Sequence, residues 1–166
     1  MDSPVRKFSV GGLKLSAELV LLRLKASEAV QIVHMFRVLT EHQINLIGVT
    51  LDAFHGRLDG VCSLLAEDRV KAEKVLGIFQ GCLEMTAPVG TITVFPVQAR
   101  IELLSALFAA WGGAGLPLYH IASSTSSLTI TTDFQLLDDA VSVVSRVVSL
   151  PENHAPFRPE FRVKQI

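Results

Sequence analysis

The feature that most restricts what this 166-residue chain can fold into is an internal repeat. Phe36 corresponds to Phe108, Leu39 to Trp111, and Ile44-Asn45-Leu46 to Leu116-Pro117-Leu118, all at one constant offset. An offset kept across a helical segment and into the next strand points to two copies of one supersecondary unit. In the first copy, residues 18–25 read as a strand, with Leu19, Val20, Leu21, Leu22 and Leu24 an apolar run broken only by Arg23. Ser27 is placed as the cap of a helix over 28–42, where Ala29, Ile32, Val33, Phe36 and Leu39 recur at helical spacing. Residues 45–53 and 58–66 read as a hairpin turning at His55-Gly56. A helix over 68–79 presents Ala72, Val75, Leu76 and Phe79, and 82–86 closes the unit as a strand.

The same order then begins again. A strand at 91–95 leads to a helix over 100–111 with Leu103, Leu104, Leu107, Phe108 and Trp111 on one stripe. A hairpin of 118–122 and 128–132 follows, then a helix over 136–147, a Pro-containing linker at 151–159 and a last strand at 161–163. The expected domains are therefore 1–87 and 88–166, each in β-α-β-β-α-β order. An additional strand at 6–10 is free to join either sheet.

Composition narrows the classes of function. The chain carries 15 Lys and Arg against 16 Asp and Glu, a formal net charge of −1, with no basic run. That balance lacks the electrostatic footprint from which phosphate-backbone affinity arises by counterion release, so nucleic acid is not an expected partner. Residues 103–132 contain no charged side chain. Gly112, Gly113, Gly115 and Pro117 nevertheless interrupt the run well short of the ~20 apolar residues a spanning helix needs, so no membrane segment is expected. Met1 is not followed by a signal-peptide pattern, and the cytoplasm is the expected compartment. Cys62 and Cys82 lie on separate apolar segments and read as small buried hydrophobes.

Side chains capable of chemistry do not assemble into a catalytic pattern. The five histidines are scattered without a metal-ligand spacing. Asp138-Asp139 fit the first turn of a helix, where carboxylates complement the macrodipole. Ser123–Ser127 lack a nucleophile-elbow pattern and suit a polar hairpin. No metal, no cofactor and no catalytic residue is expected.

One segment is specific. Phe36-Arg37-Val38-Leu39-Thr40-Glu41-His42-Gln43-Ile44-Asn45-Leu46 resembles the helix-to-strand segment of the ACT domain in the regulatory half of aspartokinases, with its pattern Phe-Arg-x-Leu-x-Glu-x-Gly-Ile-Asn-hydrophobic. Ile121–Ile130 is similar to the hydroxyl-rich second hairpin of the tandem partner domain. The resemblance covers most of the chain and implies an α+β protein of two ferredoxin-like ACT units in tandem. It further implies a non-catalytic regulatory module, homo-oligomeric, that senses an amino acid where ACT units meet and acts on an amino-acid biosynthetic enzyme. The ligand-binding residues it implies are Ala26, Ser27, Glu28 and Ala29 at the first strand-to-helix loop, and Asn45, Leu46 and Ile47 at the start of the second strand. Physically, a helix N-terminus offers unpaired N–H groups to an α-carboxylate. In this chain Leu24 and Ala29-Val30 stand where the family loop has Gly and Pro-Gly, and Pro96 and Ile101-Glu102 occupy the matching places of the second copy. The alternative is accordingly an oligomerisation or partner-binding module whose pocket has closed. The kinase half of that family, with its Lys-x-Gly-Gly segment, has no counterpart in these residues, and no enzymatic activity is expected of them.

Overall fold

The computed structural model describes residues 7–26, 28–55, 57–97 and 100–157. Two short strands come first, β1 (Phe8–Ser9) and β2 (Gly12–Leu15). In β3 (Leu19–Ala26), Val20, Leu22, Leu24 and Ala26 alternate onto one core-facing side. Helix α1 (Ala29–Glu41) follows, then the hairpin of β4 (Leu46–Phe54) and β5 (Arg57–Leu65). Helix α2 (Arg69–Leu76) is flanked by single 3-10 turns, the second of which carries the buried Phe79. The 13-residue β6 (Leu83–Phe95) leads to α3 (Ile101–Gly113), the hairpin of β7 (His120–Ser123) and β8 (Leu128–Asp133), α4 (Leu137–Val147) and β9 (Val148–Ser149). No helix among the described residues is long and apolar enough to cross a membrane.

These elements form two compact units. Glu18–Val89 is one, and the remainder of the described chain, 7–17 with 90–157, is the other. Within Glu18–Val89 the strand order is β4-β5-β3-β6, with every neighbouring pair antiparallel. With α1 and α2 between the strands, this is the ferredoxin-like arrangement. Ile32, Met35 and Leu39 of α1 and Ala72 and Leu76 of α2 close over β3 and β5 in a single core. The unit begins and ends on paired residues, Leu19 opposite Val89.

Strand β6 corrects the sequence reading, which splits it at Pro88 into strands at 82–86 and 91–95. Leu21 pairs with Thr86 while Leu19 pairs with Val89, so β6 carries one extra residue at Ala87-Pro88. A bulge is the place in a strand where a residue without an N–H is tolerated. The strand therefore continues through its proline.

The other unit is split in the chain. Its strand order is β7-β8-β6-β2, and β2 lies antiparallel to the second half of β6, Gly12 opposite Phe95 and Leu15 opposite Ile92. Strand β1 pairs in parallel with β9, Phe8 opposite Val148. The N-terminal segment thus packs with the second copy, in contrast to a division at residues 87 and 88. The cause is burial: Val10, Leu13 and Leu15 join Ile92, Val94, Leu107, Trp111 and Leu137 in one core. Ser16 N–H donates to the Thr91 carbonyl at 3.0 Å and Thr91 N–H returns to Ser16 Oγ at 2.9 Å, fixing the register beyond the strand. β2 occupies the place beside β6 that the fourth strand of a ferredoxin-like unit takes. The strand expected at 161–163 lies outside the described residues.

Three helix details differ from the expected faces. On α1 the buried residues are Ile32, Met35 and Leu39, whereas Val33 is 56% exposed and Ala29 is also exposed, so the stripe is rotated toward Met35. On α3, Leu103, Leu107 and Trp111 are buried and Phe108 lies on the outer side. The N-cap of α1 is Glu28 rather than Ser27, which lies outside the described residues. The Gln31 side chain returns to accept the Glu28 N–H at 3.4 Å, the reciprocal arm of a capping box that Ser27 is one residue too early to form. In the second copy Trp111 Nε1 and Thr132 Oγ1 both donate to the Pro117 carbonyl, at 3.2 and 2.7 Å, and β7 starts only after this anchored stretch.

Gly11, just ahead of β2, and Gly12, its first residue, have a steric reason. A Cβ on Gly11 would lie 2.7 Å from Pro96 Cδ, and one on Gly12 would lie 3.0 Å from the Phe95 ring. Gly11→Ala is expected to destabilise the protein by about 1–3 kcal/mol through overpacking, read as a lower denaturant midpoint at unchanged slope.

Candidate functional site

The residues implied as ligand contacts fall into two groups that the fold separates. Ala26 ends β3 and is buried, its side turned into the core. Glu28 and Ala29 follow as the exposed N-cap and first residue of α1, and Ser27 lies outside the described residues. Asn45 is exposed just before β4, Leu46 is half-buried at its start, and Ile47 is 55% exposed. Ala26 is level with Leu58 of β5, whereas Leu46 is level with Leu64. Six residues of antiparallel strand separate those levels, roughly 20 Å. Within one unit, therefore, the two groups stand at opposite ends of the sheet.

The chain reversal that delivers Asn45 is tightly built. His42 N–H donates to the Val38 carbonyl at 3.2 Å, Gln43 N–H to Thr40 at 3.0 Å and Ile44 N–H to Leu39 at 2.9 Å. Gln43 sits at φ 55°, in the left-handed region that favours glycine. It occupies the position at which the ACT pattern quoted above carries Gly. Gln43→Gly is expected to stabilise the fold by about 0.5–1 kcal/mol, the strain relieved exceeding the added chain entropy, as a higher midpoint in urea.

Next to the first group lies a groove of about 1030 Å³ that periodicity does not reveal. One wall is α1, with Val30, Gln31, Val33, His34 and Arg37, and the other is the turn after α2, with Ile78 and Phe79. Lys25, Arg57, Gly81 and Cys82 complete the lining, which contains no carboxylate. His34 meets Phe79 edge to face at 5.3 Å between ring centres, which ties the walls together. Lys25 Nζ is 4.0 Å from Glu84 Oε1, an exposed pair. The sequence signal for this groove is slight: Val30 and Ile78 are apolar yet fall off the periodic stripes, while Val33 lies on the expected stripe and is exposed in the fold.

The two cysteines have different surroundings. Cys62 is buried in β5, and burial pushes its thiol up to about 11, whereas Cys82 is only half-buried and reaches the groove. Other polar groups are structural in form. Ser124 Oγ accepts the N–H groups of Ser126 and Ser127 at 3.3 and 3.0 Å, closing the second hairpin. Tyr119 donates to Asp133 Oδ1 at 2.7 Å, and this bond is the main cause that raises the phenol above its ordinary range. Asp138 and Asp139 lie in the first turn of α4 and Arg146 in the last, each complementing the helix dipole. Among the described residues no three His, Cys, Asp or Glu side chains gather in a way that could hold a metal ion.

No protein-family model matches the sequence, and no curated protein is similar to it. Solved structures are similar throughout the fold. The regulatory subunit of aspartate kinase from Thermus flavus superposes with a TM-score of 0.72 at 14% identity, over 83% of this chain and 97% of that one. The ligand-free regulatory subunit from Thermus thermophilus gives 0.69 at 13% identity, over 84% and 99%. E. coli aspartokinase III in complex with lysine and aspartate gives 0.62 at 14% identity, over 82% of this chain and 32% of that one. The chain has the tandem ACT fold of aspartate kinase regulatory regions. Its agreement with the regulatory subunits extends over nearly their whole length.

Because folded Cys62 holds its proton to a higher pH than the unfolded thiol, its contribution to stability is complete below about pH 9 and lost as the pH rises toward 11. Unfolding free energy measured across that window is expected to fall, and Cys62→Ala to remove that part of the slope. At pH 8 a thiol reagent is expected to modify Cys82 well before Cys62.

Proposed function

We propose that this chain is a non-catalytic regulatory module that senses an amino acid or similar small metabolite at a seam between two ACT units. The observation that carries the reading is the separation of Ala26–Ala29 from Asn45–Ile47 within one unit. Strand β4 ends the strand order of its unit, so its outer backbone groups have no strand partner there. It is nine residues long and presents Ile47, Val49 and Leu51 at 55%, 49% and 39% exposure. An edge of this kind is a template for pairing. If two copies pair antiparallel along β4, Asn45 of each comes to the end of the other that carries Ala26–Ala29. A ligand then meets a helix N-terminus from one copy and the Asn45 amide from the second. The complex of E. coli aspartokinase III with lysine, a protein of the same fold, supports an amino acid as the ligand class.

A second reading, assembly on a biosynthetic enzyme without a ligand, is favoured by Leu24, which is 2% exposed where the family loop has a glycine. Thermal-shift measurements with each proteinogenic amino acid separate the two. At least one is expected to raise the melting temperature in a concentration-dependent way, and Asn45→Ala to suppress that rise. Light scattering is expected to give a dimer that Val49→Lys with Leu51→Lys dissociates. A dimer unresponsive to every amino acid supports the second reading instead.

A further inference from the structure

The groove between α1 and the turn after α2 is not used by ligand sensing at a seam, and its chemistry is distinct. We propose that it is a docking site for an acidic amphipathic helix of a partner protein. Lys25, Arg37 and Arg57 line it and no carboxylate does; Lys25 has Glu84 4.0 Å away outside the lining, and the two arginines are exposed. Apolar side chains turned to solvent line it as well, Val30 at 62% and Ile78 at 71% exposure. Val30 and Arg37 stand seven residues apart on α1, about 10 Å along its axis. The groove thus follows α1 for about two turns, with one of its three cations, Arg37, on that helix and the others on β3 and β5. It suits a segment that is itself at least two turns long, with an apolar stripe on the valine and isoleucine and carboxylates at its margins. Residues 158–166 have the wrong sign to fill it, with Arg158, Arg162 and Lys164 against Glu160. The partner's helix is therefore identified by its chemistry, acidic with leucine-type anchors one turn apart.

The test uses the full chain and a fluorescent synthetic helix of roughly 18 residues, long enough to be helical, with Leu on one stripe and Glu on its flanks. A second peptide has Lys in place of every Glu. Fluorescence anisotropy is expected to show saturable binding of the Glu peptide only, weakening with salt. Arg37→Glu with Arg57→Glu, both at exposed positions, is expected to weaken binding at least about tenfold. Ile78→Glu provides a second variant that acts on the apolar anchor, and circular dichroism verifies that each variant is folded. Bound peptide is further expected to slow modification of Cys82. Equal binding of the two peptides, no binding of the Glu peptide, indifference to the charge reversal, or attachment to phosphatidylserine vesicles in place of peptide overturns the proposal. Amino-acid thermal shifts are read separately, so failure of ligand sensing and failure of this docking site give different results.

Discussion

The pairing of Gly12–Leu15 with Ile92–Phe95 is the constraint on which the rest of the architecture depends. It joins residues far apart in sequence, and such contacts carry a loop-closure cost that grows slowly with length. The cost is met by the unit in between, whose own sheet sets Leu19 opposite Val89 and so delivers the chain back to where it left. Once β2 is in place, Leu13 and Leu15 complete a core that would otherwise be open on the outer side of Ile92 and Val94. Gly11 ahead of it and Gly12 at its start allow the close approach to Pro96 and Phe95 that this pairing brings.

Much of this was legible in the residues themselves. The helical periodicities place α2 and α4 on their buried faces, and the constant offset of the repeat aligns Leu39 with Trp111, both 2% exposed at the same turn of their helices. What was not legible has physical causes. The extra strand expected at 6–10 is only the two-residue β1, paired with β9, and the four-residue β2 carries too little pattern to be read as a strand. Pro88 breaks a sequence pattern but not the strand, because a bulge removes the need for its N–H. Met35 and Val33 are both apolar, and only the direction of neighbouring elements decides which of them is covered.

The candidate site divides in the same way. The segment from Phe36 to Leu46 is recognisable because its turn and its buried anchors are local, and the structure shows Leu39 and Ile44 in the core as that requires. The distance between Asn45 and Ala26 is not local. It follows from α1 running back along the sheet, so that a strand-to-helix loop and a helix-to-strand loop necessarily lie at opposite ends. Sequence proximity is therefore a poor guide to a shared pocket in this topology, and the basic groove beside α1 was invisible for the converse reason. Its members come from β3, α1, β5 and the turn after α2, with no spacing to connect them.

The antiparallel pairing of Leu19 with Val89 has an evolutionary consequence. A module whose two chain ends are neighbours can be grafted into a host, exchanged for a cousin or deleted with little more than a peptide splice. A lineage could thus change this unit while keeping the surrounding scaffold intact, without having to invent a new protein.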